Sequence, residues 1–358
     1  MMILLYVDVR LPAWQYLVAG LTLFSQFTPR VPVKKRASMS TLVTGGAGFI
    51  GAQVVRLLLE KGEKRPTVFS RNPSPSRLTG IADDVNVVSG DVGNFSHVLD
   101  AVSTAKPDVI YHFGAMLSVP SDADPSAAVQ TNAMGTFHIL EAARIFGVRQ
   151  VIFASSIAVF GTDIEGDVRD DFTLQRPNLI YGATKVFGEH MGLFYKRKYG
   201  IDFRGLRYPS IIGPGVSTPG VVQYTSQVME HSAKGNPYTM RVNPDLQTPV
   251  MYITEAGEAA VQLAEASLSD VQTAVYNVDG IQPTPSAQDL VDAVMRQLPS
   301  AQIMFDVDPE RLSSSGDKFQ RLDDRCARAE WGWNPKYDLD TIVTEMIAEL
   351  KRHPERYG

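Results

Sequence analysis

From Thr41 onward, short apolar runs alternate with longer stretches whose apolar positions recur at helical spacing. Thr41 to Thr44 reads as a strand, and Phe49 to Lys61 as the helix after it. Pro66 to Arg71, Val85 to Ser89, Asp108 to His112, Val151 to Ala154 and Phe203 to Leu206 read as five further strands. Long helices are predicted over Pro125 to Phe146 and Leu179 to Tyr199, and Asn72 to Ser76, with its two prolines, is a loop. Strands that alternate with helices need right-handed crossovers, which give a parallel sheet covered on both faces. In such sheets ligands bind beyond the C-terminal ends of the strands.

The rhythm changes after Tyr208. Ile212 to Gly220 is a loop full of glycine and proline. Helices are predicted over Val221 to Ala233, Glu255 to Ala266 and Ser286 to Gln297, and short strands over Thr239 to Val242, Ala274 to Val278 and Gln302 to Phe305. The expected organisation is a first domain over 39–208 and a smaller mixed α/β part over 209–358, with one or two elements returning to the sheet.

Residues 1–38 stand outside this pattern. Met1 to Phe27 is apolar, but Asp8, Arg10 and Pro12 interrupt it, and Ala13 to Phe27 falls short of the ~20 residues of a membrane span. Lys34, Lys35 and Arg36 follow as a basic flank, while the basic start and small-residue cleavage site of a secretory signal are missing. Met39 stands two residues before the first strand, so the leader is expected to lie outside the fold, with membrane contact as the alternative.

Composition narrows the class. Apolar residues make up 44% and charged residues 20% of the 358, ordinary for a soluble globular protein. A formal charge of -5 gives no nucleic-acid footprint. The single cysteine, Cys326, cannot form an internal disulfide and has no metal-binding cluster around it, so no metal site is expected and a reducing, cytoplasmic setting fits.

Three groups of residues carry chemistry. The first is the glycine turn: Gly45, Gly48 and Gly51 fall between the first strand and the first helix at G-x-x-G-x-x-G spacing. Gly45 permits a tight turn, Gly48 lets a pyrophosphate approach the backbone, and Gly51 lets the helix pack close to the strand. The helix start at Phe49 and Ile50 then presents free N–H groups to phosphates. The second is Tyr181-Gly-Ala-Thr-Lys185, with tyrosine and lysine on one helix face. A free phenol has a pKa near ~10, and a neighbouring ammonium should lower it into range for exchanging a hydroxyl proton. The third is Ser155-Ser156 at a strand end, where one hydroxyl can hold a substrate oxygen and the alternative is a strand-end cap.

Taken together, the chain resembles the extended short-chain dehydrogenase/reductase family in its NAD-dependent epimerase/dehydratase branch. The ordered motifs are the glycine turn, Gly90-Asp91-Val92, His112-Phe-Gly-Ala115, Thr131-Asn132, Ser155-Ser156, Tyr181 to Lys185 and Arg207-Tyr208-Pro209. The resemblance implies a Rossmann-type doubly wound parallel sheet with a small C-terminal substrate-binding cap. It implies Ser156, Tyr181 and Lys185 as the catalytic set, with Lys185 also holding the nicotinamide ribose. Asp91 and Val92 would read the adenine, with a helix cap near Asn94 as the structural alternative for Asp91. Phe113, Gly114 and Ala115 would line the cofactor, Tyr208, Ser210 and Ile211 would flank the nicotinamide, and Asn132 would position the site. Ser118, Ser156 and Tyr208 would meet the substrate, while His112 reads as a strand residue.

Within the branch the likeness is greatest to short-chain-type L-threonine 3-dehydrogenases, on segments such as Ala115-Met-Leu-Ser118, Arg207 to Ile212 and Ala329-Glu-Trp-Gly-Trp333. Thr248-Pro-Val-Met-Tyr-Ile253 lacks the arginine and aspartate that nucleotide-sugar epimerases carry there, which favours a small polar substrate. Two departures point away from threonine itself: Ser70-Arg71 replaces an acidic residue at the end of the second strand, and Asp317 to Arg321 replaces a Ser-Trp-Pro segment. Trp331 and Trp333 read as packing residues. The expected function is an NAD(P)-dependent oxidoreductase moving a hydride between nicotinamide and a hydroxyl or carbonyl carbon. The alternative is a nucleotide-sugar epimerase or dehydratase that retains its cofactor. Ser70 cannot repel a 2′-phosphate and Arg71 can bind one, so NADP is favoured over NAD. A homodimer is expected through the helices carrying Met134, Phe137, Phe187, Met191 and Phe194.

Overall fold

In the computed structural model, residues 39–357 are described, apart from 74, 217, 219, 221 and 308–320. The expected leader at 1–38 and most of the Asp317 to Arg321 segment lie outside the described residues. The first half runs β1 (Thr41–Thr44), α1 (Phe49–Glu60), β2 (Thr67–Ser70), α2 (Pro75–Leu78), β3 (Asn86–Ser89), α3 (Phe95–Ala105) and β4 (Val109–His112). Then come α4 (Ser118–Ala123), α5 (Pro125–Ala128), α6 (Gly135–Phe146), β5 (Gln150–Ser156), β6 (Val168–Arg169), α7 (Ile180–Tyr199) and β7 (Asp202–Tyr208). The second half runs β8 (Ser210–Ile212), α8 (Tyr224–Ala233), β9 (Tyr238–Met240), β10 (Val250–Tyr252), α9 (Ile253–Glu265) and β11 (Val275–Asn277). It closes with α10 (Ala287–Gln297), β12 (Ile303–Phe305), β13 (Arg321–Leu322), α11 (Arg325–Trp331), α12 (Leu339–Arg352) and α13 (Pro354–Tyr357).

Seven parallel strands form the central sheet in the order β11-β7-β5-β4-β1-β2-β3. The direction of winding reverses between β1 and β4, and that switch point opens a crevice at the strand C-termini. Leu42, Val43, Ile110, Ile152, Phe203 and Leu206 are fully buried, as strands covered on both faces require. α1 and α9 cover one face, while α3, α6 and α7 cover the other. β11 is the element of the second half that returns to the sheet, pairing with β7. Three two-stranded pairs, β10-β8, β12-β9 and β13-β6, stand beside it. The apolar cluster of α8, α10 and α12 is separate from the two clusters flanking the sheet. No helix among the described residues is long and apolar enough to cross a membrane.

One expected element differs. The helix foreseen over Pro125 to Phe146 is broken by a π-helical stretch, Val129–Met134. A π turn re-aims side chains within a helix. Here it places Asn132, whose Oδ1 accepts from Met116 N at 2.7 Å and whose Nδ2 donates to Met116 O at 3.1 Å and to Thr184 Oγ1 at 3.2 Å.

Candidate active site

A cavity of about 690 Å³ occupies the crevice. It runs from Ser70, Arg71 and Asp91 at the ends of β2 and β3, over the glycine turn, to Ser156, Tyr181 and Lys185 beside β5 and α7. Of the residues foreseen for the site, all but Asn132 line it, including Val92, Phe113, Gly114, Ala115, Ser118, Tyr208, Ser210 and Ile211. Asn132 is buried behind the wall and fixes the Met116 backbone through the bonds above.

The glycine turn has the geometry a dinucleotide needs. Gly45 adopts φ +65°, and a Cβ there would lie 2.9 Å from Gly114 N. A Cβ at Gly51 would lie 2.2 Å from Gly45 O, so only glycine lets α1 start this close to the strand. Gly48 is the N-cap and supplies no side-chain cap, and Phe49, Ile50 and Gly51 line the cavity. The first turn of α1 therefore offers backbone N–H groups and its positive end to an anionic ligand. These features fit the pyrophosphate of a nicotinamide dinucleotide.

At the adenosine end, Ser70 Oγ accepts from Ala47 N at 3.2 Å, so this serine braces the glycine turn. Arg71 is exposed, and no hydrogen bond or ion pair engages its guanidinium among the described residues. Asp91 is not the cap of α3. Asn94 fills that role, accepting from Ser96 N at 3.0 Å and His97 N at 3.5 Å. Asp91 Oδ1 accepts from Gly93 N at 2.8 Å, and the residue faces the cavity.

At the other end the two serines separate. Ser155 Oγ donates to Glu189 Oε1 at 2.5 Å, behind the strand. Ser156 Oγ accepts from Ala158 N at 3.2 Å and meets the Tyr181 phenol. Alternation along β5 thus leaves Ser156 as the serine beside the tyrosine.

The Tyr181 phenol stands above its ordinary value in this arrangement, not below it. Burial pushes the phenol up to about 12, and only the Ser156 hydrogen bond opposes it. Lys185 Nζ sits 5.5 Å from the centre of the Tyr181 ring and donates to Ala154 O at 2.7 Å. Burial also brings Lys185 down to about 8. The neutral phenol, the form that gives up a proton, is therefore favoured near neutrality.

Two further residues have roles set by their partners. His112 accepts or donates to Thr44 Oγ1 at 2.7 Å and Thr136 Oγ1 at 3.1 Å, and burial holds it at about 3. It is a neutral strand residue tying β1 to the start of α6. Tyr208 lines the cavity, but its hydroxyl donates to Ala256 O at 2.8 Å and is taken up by that bond. Ser210 Oγ is similarly bonded to Val222 O at 3.3 Å and Thr225 Oγ1 at 3.0 Å.

The sequence pattern of the NAD dependent epimerase/dehydratase family matches residues 41–279, two thirds of the chain. The chain belongs to the NAD-dependent epimerase/dehydratase family. As the motif resemblance implied, it is a nicotinamide-dependent oxidoreductase of the extended short-chain type. The mitochondrial L-threonine 3-dehydrogenase of Bos taurus is 30% identical over 308 residues, covering 86% of this chain and 81% of that protein. The solved L-threonine dehydrogenase of Clostridium difficile superposes with a TM-score of 0.80 at 28% identity, covering 90% of this chain and 100% of that one. The L-threonine 3-dehydrogenase of Trypanosoma brucei gives 0.79 at 30% identity, covering 89% and 98%.

The sequence reading missed Ala47, Leu117, Phe160, Asn178, Leu179 and Gln223, which also line the cavity. Ala47 and Leu117 are variable positions within quoted segments, and the others reach the cavity by a course that depends on tertiary packing. Trp331 and Trp333 are packing residues, with ring centres 5.7 Å apart and Trp333 Nε1 donating to Asp279 O at 3.0 Å.

Proposed function

We propose that this enzyme interconverts a secondary alcohol and a ketone on a small polar substrate, in the manner of the L-threonine dehydrogenases it is similar to. The observation that carries this reading is the convergence of Ser156, Tyr181 and Lys185 at one end of a cavity whose other end fits a dinucleotide. The bound nicotinamide would supply or accept the hydride. Ser156 holds the substrate oxygen and stabilises negative charge on it. Tyr181 donates its phenol proton to that oxygen in reduction and takes it back in oxidation. Lys185 orients the cofactor ribose and supplies positive charge beneath the tyrosine. Phe113 to Ala115 and Tyr208 to Ile211 form the walls against the nicotinamide half.

For the adenosine half, we read the unengaged Arg71 beside Ser70 as a 2′-phosphate site, which favours NADP over NAD. An initial-rate panel tests the function: L-threonine, other hydroxy acids, simple aldehydes and nucleotide sugars, each with NADP and NAD, followed by nicotinamide absorbance. Net cofactor turnover with a small hydroxy or oxo compound is expected. Conversion of a nucleotide sugar without net cofactor turnover would overturn this reading in favour of an epimerase or dehydratase.

A further inference from the structure

Tyr181, Lys185 and Glu189 follow one another at four-residue steps along α7 and therefore share one face. Lys185 is 5% and Glu189 2% exposed. The ammonium of Lys185 has one neutral acceptor, Ala154 O at 2.7 Å, and otherwise faces the rings of Phe153 and Tyr181 at 5.0 and 5.5 Å. A buried ammonium so poorly partnered needs a counter-charge to stay ionised.

Glu189 is the carboxylate placed to supply it, and it is held with little freedom. Arg207 grips it with two bonds, Nε to Oε1 at 2.9 Å and Nη2 to Oε2 at 2.8 Å. Ser155 Oγ donates to Oε1, and Gln175 Nε2 donates to Oε2. Arg207 is fixed in turn by Nη1 donating to Asp171 O at 2.9 Å. The other groups bearing on Lys185 are Tyr181 on the same helix, neutral His112 on β4 and Arg207 on β7. Of the charges around the lysine, Glu189 is the one that resists the downward pull of burial.

We propose that Glu189 is a positioning residue for the reaction: clamped by Arg207, it keeps Lys185 an ammonium under Tyr181. This rests on the roles proposed above for Ser156, Tyr181 and Lys185. The plainer possibility is a buried ion pair that only fastens α7 to β7.

The two are told apart by titrating lysine itself. Protein labelled with 13C at lysine Cε is followed by NMR from pH 5 upward, and Lys185 is assigned by the signal lost in Lys185→Arg. In the wild type the midpoint should stand well above the ~5–6 of buried lysines without a counter-charge. Glu189→Gln should lower it by about one pH unit or more. The double variant Glu189→Gln/Arg207→Gln leaves no uncompensated charge and should lower it too. The alkaline limb of kcat/KM for carbonyl reduction should move the same way. A purely structural pair would lower the melting temperature and leave midpoint and limb in place. An unchanged midpoint in either folded variant, or a wild-type midpoint below about 6, would overturn the proposal. The titration needs no substrate, so its failure is distinct from a failure to find one.

Discussion

Replacing Gly51 with alanine tests whether the glycine turn sets both packing and cofactor binding. The added Cβ would sit 2.2 Å from Gly45 O, 2.8 Å from Gly45 C and 2.9 Å from Gly46 Cα, all backbone atoms. No side-chain rotation relieves such contacts, so α1 must withdraw by about 1 Å or the turn must open; overpacking of this kind costs roughly 1–3 kcal/mol. Because the obstacle is backbone, the upper part of that range is expected. The withdrawal also moves the N–H groups of Phe49 and Ile50 away from the phosphates, and a loss of about 1.4 kcal/mol there means a tenfold weaker cofactor. Gly147→Ala is the control: its φ of +70° strains an alanine, but a Cβ there meets nothing within 4 Å. It should cost about 1 kcal/mol and leave the cofactor affinity alone. Urea melts and a fluorescence titration of NADP and NAD read both quantities. Unchanged stability and affinity in Gly51→Ala would refute the reasoning.

Tyr181→Phe keeps the ring and should bind cofactor normally while losing turnover by roughly 10²–10⁴-fold; near-native kcat would remove Tyr181 from the mechanism. Ser70→Asp should shift the kcat/KM ratio from NADP towards NAD, since a carboxylate repels a 2′-phosphate, and an unchanged ratio would show that this strand end does not set the choice. Phe187 and Phe194 stand 38% and 40% exposed on α7, and Ile145 and Phe146 stand 48% and 44% exposed on α6. Light scattering at micromolar concentration is expected to give a dimer that Phe187→Glu dissociates; a monomeric mass for the wild type would exclude pairing through these helices. Burial raises the Asp279 carboxyl to about 7, so the folded state holds its proton more tightly than the unfolded chain does. That cost is absent below about pH 4, grows as pH rises to about 7, and is removed in Asp279→Asn, which should gain about 2–3 kcal/mol on wild type between pH 5 and pH 8 in urea melts.

The parts of the site carried by local pattern were readable before the fold was known. Glycine spacing marks a tight turn because φ at Gly45 and the space at Gly51 forbid other residues, and Tyr181 and Lys185 share a face because the helix period makes them do so. Alternation marks the strands and makes them parallel, whereas their order, and the place of β11 at the far edge, appear only in the fold. What alternation cannot convey is what a side chain is buried against. The strand period sends Ser155 and Ser156 to opposite sides, but that Ser155 meets Glu189 behind β5 appears only in the fold. Four-residue spacing gives the proximity of Tyr181 and Lys185 but not their burial, and burial decides where the phenol stands. The break in the helix after Ala128 leaves no signature in the apolar period, so the way Asn132 reaches the Met116 backbone from behind the cavity wall is not readable from it.

Those two serines show how a sheet allots duties to identical neighbours. β5 is held in register on both sides, with Ser155 opposite Arg207 and Ser156 opposite Tyr208 on β7. A slip of one residue along that ladder would send each hydroxyl to the opposite face. The tyrosine-facing and ion-pair-facing oxygens would trade places while the amino-acid sequence read the same. The identity of the working serine is thus stored in the hydrogen bonds between strands, and an insertion or deletion ahead of Gln150 can erase it without touching either serine.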